Sequence, residues 1–204
     1  MLLAKGTPLW ILSIPLSASI CSVLGIIMEL SFLMIIGIIL LLLFLPVIAF
    51  FRDPERPTGA GVVSPADGKV TRVVRNGGWT EISIFMNIHD VHVNRAPWRG
   101  KIVAQEHIRG SFKPAFSKDS DRNERLRTVL RTERGDWEIV QIAGAVARRI
   151  VPYVEVGDTL EKGERFGMIR FGSRVDLRFR VPRGHSITVS EGDRVKAGTS
   201  SLAR

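Results

Sequence analysis

Two histidines with close spacing are the first candidates for chemistry in this 204-residue chain. His89 and His92 lie three positions apart in the segment Met86–Pro97 and are two of only four histidines. Histidine binds metals and exchanges protons near physiological pH. A zinc site needs further ligands, but no third one stands nearby, and the single Cys21 excludes a cysteine metal site and an internal disulfide. Two polar surface residues are the ordinary alternative, so the pair alone does not define a function.

Two further segments contain polar residues within short turns. Ser64–Val70 (SPADGKV) carries Asp67 beside a glycine, a composition that by itself predicts a turn. Met168–Asp176 (MIRFGSRVD) places Gly172–Ser173 between two apolar, strand-like runs. Gly-Ser is also a common turn pair, and neither segment alone indicates a reaction.

The elements that must position these residues are mainly β-strands. Short β-branched runs bounded by Gly, Pro or Asp predict strands: Trp79–Met86, Lys101–Arg109, Arg125–Thr132, Trp137–Ile142, Val175–Val181 and Ser186–Val189. Helical periodicity is scarce, with a short helix predicted near Ser117–Arg122. The expected fold class is mainly β, barrel- or sandwich-like, behind a helical anchor.

A weak internal repeat supports a β-barrel architecture. Val156–Gly163 (VGDTLEKG) is echoed by Glu191–Gly198 (EGDRVKAG), each with a Gly-Asp turn, an apolar residue and a closing Gly. The pattern resembles turns of the barrel-sandwich hybrid fold of biotinyl and lipoyl carrier domains. Those carriers need a lysine at a hairpin tip, whereas Lys162 and Lys196 fall inside the turn pattern. The repeat therefore argues for the fold and not for a carrier function.

The sequence of the N-terminal quarter of the chain predicts a membrane anchor. Thr7–Met28 and Leu30–Phe51 contain no charged residue, and each exceeds the roughly 20 residues that cross a bilayer as a helix. Glu29 falls where a tight turn between two helices would lie. A cleaved signal peptide would have a shorter apolar core and a small-residue cleavage site. We expect residues 1–51 to form one or two hydrophobic helices, as a spanning or a monotopic hairpin.

Charges that flank the apolar stretches predict the orientation of this anchor. Lys5 precedes the first stretch, and Arg52 and Arg56 follow the second. By the positive-inside rule both ends of the hairpin lie in the cytoplasm. Residues 52–60 then form a Pro-rich linker, and residues 61–204 form a domain on the cytoplasmic side of the cell (inner) membrane.

The formal net charge of +9 falls entirely on residues 52–204, because residues 1–51 hold only Lys5 and Glu29 as charged residues. A basic domain binds either anionic lipid head groups or nucleic acid. The cations are scattered through predicted strands without a compact basic run or interleaved aromatic residues. Together with the anchor, this favours an anionic membrane surface and no nucleic acid.

Five segments, taken together and in order, resemble the short-form phosphatidylserine decarboxylase family. They are Phe51–Pro57 (FRDPERP), Ser64–Gly68 (SPADG), Asn123–Arg125 (NER), Ala147–Ile150 (ARRI) and Arg170–Asp176 (RFGSRVD). The resemblance covers nearly the whole of residues 52–204, and the apolar N-terminus also fits the family. Longer members have Leu-Gly-Ser-Thr where this chain has Phe-Gly-Ser-Arg. The reacting Gly-Ser pair is retained, so the departure bears on the subfamily.

The resemblance implies a proenzyme that cuts itself between Gly172 and Ser173. In such enzymes the serine hydroxyl attacks the glycine carbonyl, and β-elimination with loss of ammonia leaves a covalent pyruvoyl group at position 173. Glycine permits a strained backbone and open access to its carbonyl. The products would be a β chain, residues 1–172, and an α chain, residues 173–204. We expect them to stay associated as a heterodimer, with any higher oligomer left open.

Residue roles follow from the same resemblance. His92 is the base that activates Ser173 for self-cleavage, and Asp67 orients His92. The pyruvoyl carbonyl derived from Ser173 forms a Schiff base with the amine of phosphatidylserine and acts as an electron sink. His89 is the acid/base of decarboxylation, which releases carbon dioxide and phosphatidylethanolamine. No metal is expected.

Two other functional classes fit parts of the sequence. A membrane-tethered adaptor on the same hybrid barrel would remain an uncut chain, and a zinc hydrolase would use His89 and His92. The sequence also leaves the lipid backbone open, because archaetidylserine is the corresponding substrate where ether lipids occur.

Overall fold

The fold is taken from a computed structural model that describes residues 2–110, 123–144, 149–170 and 173–204. The chain divides into two compact units, Met1–Pro54 and Glu55–Arg204.

The first unit is a helical hairpin closed by a small sheet. β1 (Leu2–Leu3) is followed by a 3-10 helix (Leu9–Leu12), α1 (Ser13–Ile27), α2 (Ser31–Phe50) and β2 (Arg52–Asp53). β1 pairs antiparallel with β2, and the Ala4 N–H donates to the Phe51 carbonyl at 2.8 Å. The start of the chain and the exit from α2 therefore lie side by side.

The turn of the hairpin and the packing of its helices follow from residue size. Glu29 takes a left-handed conformation, with φ 57°, between the helices. Gly37 of α2 packs against Ala18 and Ser22 of α1, so no side chain separates the two backbones there. Small residues allow this close approach between apolar helices.

The outer surface of the hairpin is apolar. Leu9–Ile27 and Ser31–Phe50 are each long and apolar enough to cross a membrane. Large side chains along both helices are exposed, among them Leu16, Ile20 and Leu42. An apolar surface of this extent fits a lipid environment, and the two apolar helices predicted from the sequence are confirmed.

The second unit is built of β-strands. They are β3 (Val62–Val63), β4 (Gly68–Asn76), β5 (Trp79–Met86), β6 (Val93–Arg95), β7 (Gly100–Ile108), β8 (Arg125–Thr132), β9 (Gly135–Ala143), β10 (Ile150–Pro152), β11 (Thr159–Leu160), β12 (Arg165–Ile169), β13 (Ser173–Phe179), β14 (Arg194–Val195) and β15 (Ser201–Ala203). The mainly β fold class is confirmed.

A curled eight-stranded antiparallel sheet forms a half-barrel in the order β11-β7-β8-β9-β13-β5-β4-β14. Two smaller sheets, β10-β12-β6 and β15-β3, accompany it. Alternate residues of the long strands point inward, and the buried core they form includes Trp137, Phe179 and Ile82. Because the side-chain period of a strand is two, the intervening polar residues face outward.

Several predicted strands agree closely with the structure. Trp79–Met86 and Arg125–Thr132 have the predicted bounds. The prediction for Ser186–Val189 is wrong as a full strand: a single bridge joins Ile187 to Ala203. Backbone hydrogen bonds flank this bridge, reciprocally between Ser186 and Arg204 and from the Thr188 N–H to the Leu202 carbonyl at 3.0 Å, so the pairing covers only a short stretch. The helix predicted near Ser117–Arg122 lies outside the described residues.

The packing of the hairpin generates a prediction at Gly37. A Cβ there would meet the Ser22 side chain and would lie 2.9 Å from the Ala18 carbonyl oxygen. Gly37→Leu should therefore push the helices apart and make the free energy of packing between α1 and α2 less favourable by about 1–3 kcal/mol. Hydrogen exchange followed by mass spectrometry, on the whole protein in micelles, should show faster amide exchange in α1. Ile38→Phe, at an exposed position of α2, is the matched control; equal exchange in all three proteins would contradict close packing.

Candidate active site

Three strand ends lie side by side at one boundary of the large sheet. We call this boundary, which is formed by strand ends and not by an outer strand, an edge of the sheet. β4 begins at Gly68, β5 ends at Met86 and β13 begins at Ser173. In the order β4-β5-β13 neighbouring strands are antiparallel, and Ser173 lies directly opposite Met86. Since strands are spaced about 4.8 Å apart, the ends of β4 and β13 lie roughly 10 Å apart. The topology thus gathers the segments that carry Asp67, the histidines and Ser173.

One loop carries both histidines and joins β5 to β6. Before this loop, Met86 pairs with Ser173, and after it Val93 pairs with Met168. Residues 87–92 therefore connect the strand opposite Ser173 to the strand opposite the end of β12, where the Ile169 N–H donates to the His92 carbonyl at 3.2 Å. Gly172 itself lies outside the described residues.

The histidine loop is held by its own hydrogen bonds. The Asp90 carboxylate accepts the Asn87 N–H at 2.7 Å, and the Asn87 carbonyl accepts the Asp90 N–H at 2.9 Å. This tight turn presents His89 at the surface, where it is exposed.

His92 lies in the interior, with no exposed surface. Its Nδ1 is 2.9 Å from the backbone carbonyl oxygen of Asp90. A carbonyl can only accept, so Nδ1 carries the proton and the neutral ring has its basic lone pair on Nε2. The backbone of the loop thereby sets the tautomer that a general base requires.

Ser173 is fully buried as the first residue of β13, between Met86 and Ala143 on the neighbouring strands. Its hydroxyl donates to the Met86 Sδ at 3.3 Å. A thioether is a weak acceptor, so this contact leaves the hydroxyl easy to redirect.

A buried amide pair adjoins the same methionine. Asn94 Nδ2 lies 3.8 Å from the Met86 Sδ, and Gln141 Nε2 donates to Asn94 Oδ1 at 2.7 Å. Both amides are fully buried. Sequence reasoning missed them, although a glutamine at an inward position of the apolar strand β9 was an available signal.

Asp67 is buried and bound by two distant parts of the chain. Its carboxylate accepts from Arg56 Nη1 at 2.5 Å and Nη2 at 2.8 Å, and from the Ala197 N–H at 2.7 Å. These bonds join the Pro-rich segment, the start of β4 and the C-terminal turn. The structure places Asp67 at the same sheet edge as Ser173, but its hydrogen bonds go to Arg56 and Ala197 and not to His92. Sequence reasoning did not find this role of Arg56.

Arg174, the residue by which this chain departs from longer relatives, lies on the opposite face of β13 from Ser173. It forms an ion pair with Asp176, with Nε 3.0 Å from Oδ1. Burial raises the pKa of Asp176, and the positive charge of Arg174 opposes that shift. The departure therefore concerns the outer face of the strand and not the side on which Ser173 lies.

Two arginines lie next to the junction. The Arg170 N–H donates to the Arg149 carbonyl at 3.2 Å. Burial lowers the pKa of Arg170, and the like charge of Arg149 lowers it further. Positive charge is thus concentrated immediately before the Gly172–Ser173 pair.

Across the described ranges, no three His, Cys, Asp or Glu side chains come together as metal ligands. The zinc interpretation of His89 and His92 gains no third ligand there.

The chain thus combines an apolar helical hairpin with a β-sheet unit in which Ser173 and the histidine loop lie at one edge of the large sheet. The model of the family described as phosphatidylserine decarboxylase matches residues 43–203. The chain is 52% identical over 157 residues to the phosphatidylserine decarboxylase proenzyme of Streptomyces coelicolor, covering 76% of this chain and 71% of that one. It is 40% identical over 206 residues to a Methanococcoides burtonii protein provisionally named archaetidylserine decarboxylase proenzyme, covering 100% and 96% of the two chains.

The chain belongs to the phosphatidylserine decarboxylase family. It is accordingly a carboxy-lyase, and the family resemblance of its sequence motifs is confirmed.

The Arg56–Asp67 pair generates a stability prediction. Both side chains are mostly buried, with 13% and 9% exposed. Removing one partner leaves a buried charge, so Arg56→Ala and Asp67→Ala should each cost about 3–5 kcal/mol in free energy of unfolding. The double variant should cost less than the sum of both, as measured by denaturant unfolding of the whole protein.

Arg72→Ala is the matched control, because it breaks the exposed Arg72–Glu81 pair and should cost at most about 1 kcal/mol. Additive costs at Arg56 and Asp67 would show that the pair is not coupled.

Proposed function

We propose that this enzyme decarboxylates phosphatidylserine to phosphatidylethanolamine after cutting itself between Gly172 and Ser173. The names of its relatives support the substrate and the proenzyme state. The observation that carries the proposal is the strand register, which buries Ser173 opposite Met86 and pairs the residue after the histidine loop, Val93, with Met168 of β12.

Self-cleavage begins at the Ser173 hydroxyl. Its oxygen attacks the Gly172 carbonyl carbon while His92 takes the hydroxyl proton. The C–N bond then breaks, the ester forms on the serine oxygen, and His92 returns the proton to the amino group of residue 173. A serine hydroxyl needs such a base. Burial, the Asp90 carbonyl on Nδ1 and the contact with Ile169 suit His92 to this role.

The ester is then eliminated. Loss of the Ser173 Cα proton expels the Gly172 carboxylate together with the former hydroxyl oxygen. Addition of water and loss of ammonia leave a pyruvoyl group on residue 173. The surroundings fit this group, because Met86 and Ala143 flank a buried site and the Asn94 amide has N–H donors for a carbonyl oxygen.

The pyruvoyl group, once formed, supplies the carbonyl that accepts electrons as the substrate loses carbon dioxide. His89 supplies a proton to the carbon that has lost its carboxylate. Its exposed position on the loop between β5 and β6 suits a group that meets substrate arriving from outside. The two histidines thus serve different steps.

Asp67 has two parts in this proposal. One is the orienting role toward His92 that the family resemblance implies, exerted from the same sheet edge by a carboxylate whose charge Arg56 balances. Asp67 also accepts the Ala197 N–H, so after cleavage it links the β chain to the α chain. The α chain would keep β13, β14 and β15 paired with strands of the β chain.

The membrane hairpin and the basic junction suit a lipid substrate. Lys5 and Arg52 lie at the same end of the hairpin, which favours a cytoplasmic side for that end. Arg149 and Arg170 are suited to bind the phosphate of the head group, since guanidinium groups bind phosphate strongly. Relatives named for phosphatidylserine and for archaetidylserine both match the chain, so either lipid backbone is compatible with the site.

Cleavage at Gly172–Ser173 is directly testable. Wild-type protein should yield fragments of residues 1–172 and 173–204, the shorter one blocked to Edman sequencing by its pyruvoyl group. Ser173→Ala should remain one inactive chain, because it has no nucleophile. The control Ser186→Ala, at an exposed position, should cleave normally. Intact mass spectrometry decides the matter, and an uncut but fully active wild type would refute the proposal and leave an adaptor-like chain.

Alanine variants of the two histidines should be blocked at different steps, one in self-cleavage and the other in decarboxylation. His92→Ala should accumulate uncut chain, with cleavage slowed by about 10²–10⁴, the usual cost of losing a general base. His89→Ala should be cut normally, should be trapped on phosphatidylserine by borohydride, and should release little phosphatidylethanolamine. Denaturing gels and product release measure the two steps separately.

His185→Ala, outside the site, and thermal melting of each variant control for structural damage. An uncut His89→Ala together with a cut but inactive His92→Ala would reverse the assignment. Two cut and active variants would remove both histidines from the mechanism.

A further inference from the structure

The large sheet contains two copies of one structural unit. Ser64–Val70 reads SPADGKV, and Ala96–Ile102 reads APWRGKI. In each copy a Gly-Lys pair and one apolar residue begin a long strand, β4 or β7, and a register shift follows the apolar residue.

Each copy is hydrogen-bonded to one turn of the internal repeat, and the two sets of hydrogen bonds are equivalent. The Val70 N–H donates to the Asp193 carbonyl at 2.9 Å, and the Ile102 N–H donates to the Asp158 carbonyl at 2.8 Å. In the reverse direction, the Gly192 and Gly157 N–H groups donate to the carbonyls of those same two apolar residues.

The closing glycines of the repeat are equivalent as well. The Gly198 N–H donates to the Ser64 carbonyl at 2.8 Å, and the Gly163 N–H donates to the Ala96 carbonyl at 2.9 Å. The segment that carries Asp67 therefore has a structural counterpart, in which Arg99 takes the place of the aspartate.

This counterpart lies at the opposite edge of the sheet from Ser173. β7 runs from Gly100 to Ile108 and pairs with β8, whose Arg125 lies opposite Ile142 near the catalytic edge. At about 3.3 Å per residue, the two edges are roughly 20 Å apart.

A cavity of about 450 Å³ opens at this second edge. Its lining carries four cations and one carboxylate, together with threonine hydroxyls and an indole: Arg99, Lys101, Arg131, Lys162, Glu133, Thr132, Thr159 and Trp98. The lining therefore carries more positive than negative charge.

Two of the four cations are already ion-paired, and two are available to an anion, of which Lys162 also lies with its Nζ 3.4 Å from the Gly61 carbonyl oxygen. Arg99 lies 3.1 Å from Glu161, and Arg131 binds Asp136 at 2.9 Å. In the described part of the chain, Lys101 and Lys162 form no ion pair. Lys162 Nζ stands 5.5 Å from the centre of the Trp98 ring.

We propose that this cavity binds a phosphate-bearing anion, at a site separate from the decarboxylation site. Lys101 and Lys162 supply the charge, and Trp98 forms an apolar wall against which an organic substituent packs. The cavity volume accommodates more than an inorganic ion. The same phosphate chemistry is offered by a phospholipid head group and by free phosphate, and the experiment distinguishes these sources.

Trp98 provides a local readout in the full-length protein in neutral detergent. Inorganic phosphate and glycerophosphoglycerol, a soluble phosphodiester head group, are titrated separately at constant ionic strength while tryptophan fluorescence is recorded. Trp98→Phe identifies the portion of the signal that comes from the cavity. Lys101→Gln/Lys162→Gln removes the two available charges, and Lys196→Gln is the matched control at an exposed lysine of the other repeat.

We expect saturable binding by wild type and by Lys196→Gln, with Kd raised about tenfold or more in the double variant, because charge-assisted hydrogen bonds are strong. Saturation by the phosphodiester alone assigns the site to a lipid head group, and saturation by inorganic phosphate alone assigns it to free phosphate. Saturation by both supports the anion site without selecting between them. No saturable signal from either probe, or an unchanged Kd in a folded double variant, would overturn the proposal. Neither result depends on self-cleavage or decarboxylation.

Discussion

The central strand β13 (Ser173–Phe179) is hydrogen-bonded along both sides, to β5 and to β9, and the site depends on this register. The pairing buries Ser173 against Met86 and Ala143, and the antiparallel neighbours bring Asp67 and the histidine loop to the same edge. A break before Ser173 would leave the new chain end fixed in the middle of a sheet. The strand that would bear the cofactor is thus also the strand that would keep the two chains together, because removing it would open the half-barrel.

The N-terminal hairpin likewise depends on strand pairing, together with close packing of its two helices. β1 pairs with β2, so both ends of the helical pair lie together, and Gly37 packs closely against Ala18 and Ser22. Apolar side chains surround the pair while its backbone hydrogen bonds are satisfied within the helices, as a lipid environment requires. A hairpin with these properties suits a decarboxylase of this family, for which a lipid substrate is proposed above.

The repeated unit shows how one backbone scaffold can serve two chemical purposes. Both copies begin a long strand with Gly-Lys and accept the same turn, yet one carries Asp67 and the other Arg99. The equivalent backbone–backbone hydrogen bonds involve neither side chain. Exchanging aspartate for arginine therefore preserves the architecture and reverses the sign of the charge. This agrees with the likeness of the turns to hybrid barrels of unrelated function, since function resides in the side chains of a site and not in its fold.

The sequence by itself determined the strand type, the apolar hairpin and the motif residues. Alternation with a period of two located Trp79–Met86 and Arg125–Thr132, whereas β4, rich in Lys and Arg and half exposed, gave too weak an apolar pattern to be found. The resemblance supplied Asp67, His89, His92 and Ser173 as site residues. Only the tertiary structure decided their partners: Ala197 for Asp67, the Asp90 carbonyl for His92, and Met86 for Ser173. Local pattern records which face of a strand is buried, but neighbours in a sheet are chosen by register between segments far apart in the chain.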